Sequence, residues 1–316
     1  MNATTLAEWS NLAVYTAMLV LVIAFVAFAV SFAARGTRVT VREEAKVPVG
    51  AGAPVVSDAD LIVPDDKEAG RRAGNIGLAL TWLAFGLLMI GLVLRGLWAG
   101  RVPWGNMYEF SLSSAAGILA VYLVLSIRRD VRWLGLFITG ATLLTLGLAV
   151  TVLYTEAAQL VPALKSWWLL IHVSAAVICG GAFTVAAGIT LLYLWRDRAE
   201  RRGRVTGMVA KLPDAVRLDT LAYRILAFAF PLWTFAVIAG AIWAENAWGR
   251  YWGWDPKETW AFITWVIYAC YLHARSTAGW RGRRAAYISL LGFAAFLINY
   301  FGVNLFVNSL HSYAGL

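Results

Sequence analysis

Three histidines and an uneven load of tryptophan are the side chains best suited to chemistry in this chain. His172, His273 and His311 are its only imidazoles. Each lies inside or just beyond a long apolar run. An imidazole buried in a membrane helix is costly enough that a functional role is the first reading, and imidazole is a common axial ligand of haem iron. His172 falls about one and a half turns into its run, and His311 just past the end of the last one. His273 lies 16 residues beyond Lys257, about 24 Å along a helix at 1.5 Å per residue, too far to share an iron with His311.

The tryptophans cluster. Five of the 16 fall in WAENAWGRYWGWDPKETW, residues 243–260. An interfacial aromatic belt would populate both membrane faces. Here ten indoles (Trp9, Trp98, Trp104, Trp167, Trp168, Trp243, Trp248, Trp252, Trp254 and Trp260) lie towards one face, against Trp133, Trp195 and Trp280 at the other. Flat indoles with little charge make a surface for a large planar apolar ligand. A porphyrin, a quinone or a lipid tail would each fit. Within the stretch, Asp255-Pro256-Lys257-Glu258 is a helix start: Asp at the N-cap, Pro at N1 and Glu at N3, as in a capping box. Asp255 therefore reads first as a cap, with direct contact to a ligand as the sharper alternative. Arg250 and Lys257, the only cations of this stretch, could meet ligand carboxylates or snorkel to lipid phosphates.

These residues must be positioned by membrane helices. Of the 316 residues, 60% are hydrophobic and 14% charged, and the mean hydropathy is +0.68. A soluble domain carries about 25% charged residues. Eight apolar runs, 11–34, 75–97, 110–127, 133–154, 167–195, 221–243, 258–274 and 285–308, predict an all-α polytopic membrane protein. The first run lacks a basic leader and is followed by Arg35 and Arg38, as in an uncleaved anchor. Alternate loops hold 22 Lys and Arg on one side and 5 on the other. The positive-inside rule then places both termini, His172, His311 and the tryptophan loop outside. Two imidazoles at one level beside an aromatic shelf suit a bis-His iron. On the last helix Tyr300, Asn304, Asn308 and His311 should form one polar stripe, at 100° per residue.

The net charge of +9 is thus a topology signal, and nucleic-acid binding is not expected. Residues 1–74 read as an anchor helix and a flexible cytoplasmic linker from Arg35 to Arg72, and 75–316 as the functional domain. PDAVRLDTLAYRIL reads as a short interfacial helix before the sixth span. Cys179 and Cys270 lie in apolar runs. There is no CxxC, CxxCH, Walker A or GxGxxG motif, so thiol redox, c-type haem attachment to the chain itself, ATP hydrolysis and dinucleotide binding lack support.

WGRYWGWDPKETW followed by YLHAR resembles the tryptophan-rich "WWD" signature of haem-handling membrane proteins. The resemblance is strongest to the CcsA/ResC type of system II cytochrome c biogenesis, also called CcsB in actinobacteria. It extends to PWGNMYEF (103–110), VPALKSWWLLIHVS (161–174), LDTLAYRILAFAFPLWTFAVIAGAIWA (218–244) and FGVNLFVNSLHSYA (301–314). It implies that His172 and His311 are the outer haem ligands flanking the WWD loop, with Trp248, Trp252, Trp254, Asp255 and Trp260 on the haem-binding surface. It implies that His273 belongs to an inner haem site completed by a ResB-type membrane partner. The expected activity is a cytochrome c haem lyase (synthase) in the plasma membrane. Haem b would be its substrate in transit, apocytochrome c the acceptor, and a separate thioredoxin-like protein the source of reduced thiols. No side chain stands out as a nucleophile. The alternative is a non-enzymatic haem exporter or chaperone, or a membrane haem electron carrier.

Overall fold

The computed structural model describes residues 3–35, 66–157, 166–277 and 279–311, and among these the regular structure is entirely helical. The helices are α1 (Ala3–Ala33), α2 (Asp66–Ala99), α3 (Met107–Arg128), α4 (Arg132–Thr151), α5 (Trp167–Arg201), a one-turn α6 (Gly207–Ala210), α7 (Ala215–Trp248), α8 (Pro256–Ser276), α9 (Arg283–Leu297), a π-helical turn Ile298–Gly302, and α10 (Val303–Phe306). Polar residues start several of them. Asn106, Ser166, Asp214 and Asp255 accept backbone N–H bonds from the first turns of α3, α5, α7 and α8, satisfying donors that a helix start leaves open.

The long helices α5 and α7 form the centre of the bundle. α3 and α4 pack on one side, α8 and α9 on another, and α1 and α2 pair at the edge. Small residues permit the closest crossing: a Cβ on Gly117 of α3 would lie 2.7 Å from the Val177 carbonyl of α5. Such glycine contacts replace hydrophobic collapse as the glue between membrane helices.

Seven helices are long and apolar enough to cross a membrane by length and composition: α1, α2, α3, α4, α5, α7 and the continuous α9 to α10 segment. The eighth expected span is α8. It fails on composition because Lys257 and Glu258 sit at one end and His273 and Arg275 at the other. Its 21 residues still extend about 31 Å. Lys257 bonds to Asn304 at one end of the bundle, while Arg275 pairs with Asp219 near the start of α7 at the other. α8 thus runs the full length of the bundle, as a span must.

Three expectations change. α2 begins at Asp66, nine residues before the expected span at 75, so the linker is shorter than the composition implied; residues 36–65 lie outside the described residues. The expected interfacial helix before span six is the first part of α7 itself. Leu218, Leu221, Ala222 and Ile225 continue its buried face without a break. The last span does not stay α-helical to His311: it passes through the π turn and ends at Phe306. Asn308 is exposed and off the helix, so it leaves the stripe, and a turn rather than helical periodicity carries His311 to its place.

Candidate functional site

The end of the bundle that carries residues 243–260 contains a cleft with about 1200 Å³ of empty space, its open mouth included. α5, α7, α8 and the π turn wall it, and both His172 and His311 line it.

His172 sits on α5 and its Nδ1 lies 2.7 Å from the Ala236 carbonyl of α7. A carbonyl oxygen can only accept, so Nδ1 carries the proton and the lone pair of the neutral ring lies on Nε2. The ring also rests on Gly240, one turn further along α7, where a Cβ would lie 2.7 Å from its Cε1 and 2.8 Å from its Nδ1. Gly240 is therefore a cradle cut for this imidazole. Trp243 follows, nearly parallel to the His172 ring at 4° and 6.4 Å between centroids. Trp243 is 2% exposed, and its Nε1 is buried without a partner among the described residues.

His311 reaches the cleft from the turn that follows α10. Its ring centroid is 5.9 Å from Trp243 and 4.9 Å from Trp248. The two imidazoles are thus no further apart than the two Trp243 distances combined. Nδ1 of His311 lies 2.8 Å from Oδ2 of Asp255, and the Leu310 amide donates to Oδ1 of the same carboxylate. The carboxylate again fixes the proton on Nδ1 and the lone pair on Nε2. A carboxylate behind the distal nitrogen is how proteins orient and strengthen histidine ligands to metals. Burial pushes the His311 imidazolium below its ordinary range, partly offset by the Asp255 hydrogen bond. Burial works to raise the Asp255 carboxyl, but the hydrogen bonds from His311, Leu310 and Lys257 outweigh it and hold the group below the usual carboxylate range.

Asp255 therefore does two jobs from one position. It closes the capping box of α8, with Glu258 accepting from the Gly253 and Asp255 amides at 2.8 and 3.1 Å. It also docks His311 against the loop. The same Glu258 bonds bracket Trp254, which has a φ of +57°, a left-handed conformation that is strained in a bulky residue.

The expected tryptophans divide. Trp248 and Trp252 line the cleft, as does Trp243. Trp254 is 65% exposed and turns outward, meeting Trp252 and Phe262 edge-on. Trp260 is half-buried in the first turns of α8 and is not among the lining residues. Trp167 is 80% exposed, as a belt residue would be. His273 is exposed on α8, well away from the cleft.

The sequence reading missed several residues of this site. Gly240 and Ala236 have no motif of their own. Trp233 and Phe296 form the floor, locked by Phe183, which stacks on Tyr268 at 4.3 Å. Asn299 lines the wall with a buried, unpartnered Oδ1. It stands with Tyr300 on the π turn, a distortion often found at functional sites. Tyr300 meets Ser111 and Ser114 of α3 at 3.3 Å. Beside the cleft, an ion cluster centred on the fully buried Arg95 and Glu109 sets the loop before α3. Glu109 takes Arg95 at 3.1 Å, Arg101 at 2.7 Å and the Gly105 amide at 2.7 Å. That loop carries Trp104, whose Nε1 donates to Ser113 and which packs against the cluster of Leu169, Val173 and Trp243.

Two neutral imidazoles with lone pairs on Nε2, aromatic walls, and unpartnered polar atoms on Trp243 and Asn299 fit a large planar ligand with a metal centre. Among the described residues no cluster of three His, Cys, Asp or Glu could hold a bare metal ion.

Comparison with known proteins agrees in kind. Residues 104–311 match the family described as cytochrome C assembly protein. The chain is 37% identical over 259 residues to the cytochrome c biogenesis protein CcsA of Guillardia theta, covering 76% of this chain and 86% of that one. It is 35% identical over 286 residues to the CcsA of Microcystis aeruginosa, covering 75% and 87%. In fold it resembles the solved cytochrome c heme lyase CcmF, with a TM-score of 0.61 at 17% identity, over 95% of this chain and 47% of that one. A matched segment that contains the whole cleft, together with relatives of this identity and coverage, makes the chain a member of the cytochrome c assembly protein family.

Proposed function

We propose that this chain is the haem-presenting subunit of a cytochrome c synthase, holding haem b between Nε2 of His172 and Nε2 of His311. One observation carries the reading. Two histidines, one on α5 and one beyond α10, each have Nδ1 committed to a fixed acceptor, Ala236 or Asp255, and both line one aromatic cleft. That arrangement presents two lone pairs to a ring held against Trp243, Trp248 and Trp252. Trp254 and Trp260 would then support the loop rather than touch the ring.

The chemistry asks little of the chain beyond positioning. Each cysteine S–H of an apocytochrome CxxCH adds across one haem vinyl; the sulfur–carbon bond forms, the hydrogen goes to the neighbouring carbon, and no net electron transfer occurs. The chain supplies orientation and keeps the iron from competing reactions. Reduced thiols come from a thioredoxin-like partner. The exposed position of His273, on the far half of α8 from the cleft, suits an inner station completed by a ResB-type partner. The excess of Lys and Arg at that end supports a cleft on the extracytoplasmic face of the cell membrane; in this reading residues 1–74 are the anchor and linker to the haem-handling domain 75–316.

The test is co-expression of the chain and its partner with an apocytochrome in cells lacking their own maturation genes. Covalent haem on the reporter, lost in His172→Ala and His311→Ala, is the expected result. Haem bound to the chain without any thioether product would refute the synthase role in favour of a carrier or exporter.

A further inference from the structure

The two cations of the tryptophan loop, equivalent in sequence, are not equivalent in space. The Arg250 guanidinium faces the Glu258 carboxylate at 3.4 Å and lies over Gly253, where any Cβ would collide with it. Lys257 lines the cleft, half-buried, and donates to Oδ1 of Asn304. Asn304 cannot turn away, because its Nδ2 donates to the Tyr300 carbonyl at 2.6 Å. Among the described residues Lys257 forms no ion pair within 4.0 Å. The other charged group on the wall, Glu258, is already satisfied by Arg250 and two backbone amides. Asp255, the carboxylate whose field reaches Lys257, is taken up by His311 and by the Leu310 and Lys257 amides, so no carboxylate of the described residues pairs directly with the Lys257 side chain. An ammonium has three donors, and leaving it beside apolar walls without a counter-charge is costly.

A ring gripped by two axial imidazoles has its centre and its plane defined, but it can still rotate about the axis that joins them. An off-axis contact is needed to choose one rotation. We propose that Lys257 binds a propionate carboxylate of the tetrapyrrole and so sets the rotation of the ring about the His172–iron–His311 axis. Because the vinyl groups lie away from the propionate edge of the macrocycle, this contact also decides where the vinyls point. The assignment rests on the haem reading above and goes beyond it. It gives the cleft a preference for an acidic porphyrin and makes Lys257 a specificity residue, with Asn304 holding the ammonium in place.

The experiment compares haem with haem dimethyl ester, in which both carboxylates are masked, on the purified full chain. Binding constants and the low-spin absorbance band are read for the wild type, Lys257→Met and Lys257→Arg. The wild type is expected to prefer the free acid by roughly 10–100-fold, the range for a hydrogen bond to a charged group. Lys257→Met is expected to bind both at the ester's affinity while keeping the low-spin band, and Lys257→Arg to retain the preference. Equal affinity of the wild type for acid and ester would overturn the proposal, whatever the variants do, as would an undiminished preference in Lys257→Met. A failure of the haem reading looks different: neither compound would give a low-spin band that His172→Ala and His311→Ala abolish.

Discussion

Gly240→Ala is the most economical perturbation of the site. The added methyl would stand 2.7 Å from Cε1 and 2.8 Å from Nδ1 of His172, closer than any real carbon contact. The imidazole must move, and the 2.7 Å bond to the Ala236 carbonyl, one turn back on the same helix, must stretch or break. Overpacking of this kind costs about 1–3 kcal/mol, and a lost hydrogen bond about 0.5–1.5 kcal/mol. Against this, alanine improves the intrinsic stability of a helix by about 1 kcal/mol. The net cost to the fold is about 0.5–3.5 kcal/mol, so the chain should still fold with a lowered melting temperature, while haem affinity falls roughly 5–150-fold. The assay is a haem titration of the purified chain followed by absorbance, beside a melting curve. Gly188→Ala on α5, which meets nothing within 4 Å, is the control and should match the wild type in both. Wild-type haem affinity and spectrum in Gly240→Ala would refute the claim that the docked position of His172 is what the ligand requires.

Asp255→Asn keeps a good N-cap but loses the charged acceptor of His311, so haem affinity should fall about tenfold with little change in melting temperature; Asp255→Ala should in addition destabilise the loop end by about 1 kcal/mol. Because burial holds His311 below its ordinary range, its neutral form favours the native state. That contribution is complete above about pH 6.5 and is lost as pH falls from there towards the lowered native value. Protection factors of the amides in 250–258 of the haem-free chain should accordingly fall on acidification, and the response should shrink in His311→Gln. Glu109→Gln removes the carboxylate that pairs with the buried Arg95 and with Arg101 and should cost roughly 3–5 kcal/mol, read as a large drop in melting temperature. His273→Ala should leave haem binding in the cleft unchanged in a titration of the isolated chain, since the residue lies away from it.

Much of this was legible in the sequence, for identifiable reasons. Helix starts are local, so Asp255-Pro256-Lys257-Glu258 announced the start of α8, and the structure has the capping box there. Apolar length is local too, and it found the helices to within a few residues, except where a helix continued into polar sequence, as α2 does at Asp66 and α5 at Arg201. Pattern reasoning fails where tertiary contacts decide. The α-helical period put Asn308 on a stripe with His311, but a π turn changes the register and Phe306 ends the helix. Counting indoles treated the tryptophans of 243–260 as one shelf. The left-handed backbone at Trp254, pinned by Glu258, turns that ring outward. Gly240 carried no signal, because its role exists only once α5 brings His172 against α7. The roles of Arg250 and Lys257 separate only when Glu258 and Asn304 are seen to take one each.

The most direct test is the visible and electron paramagnetic resonance spectrum of the haem-loaded chain beside those of His172→Ala and His311→Ala. Two imidazoles clasping one iron predict a low-spin spectrum in the wild type. Either variant should convert it to high spin, and added imidazole should restore it. A low-spin spectrum that persists unchanged when either ring is removed would mean that the iron is not held between these two imidazoles.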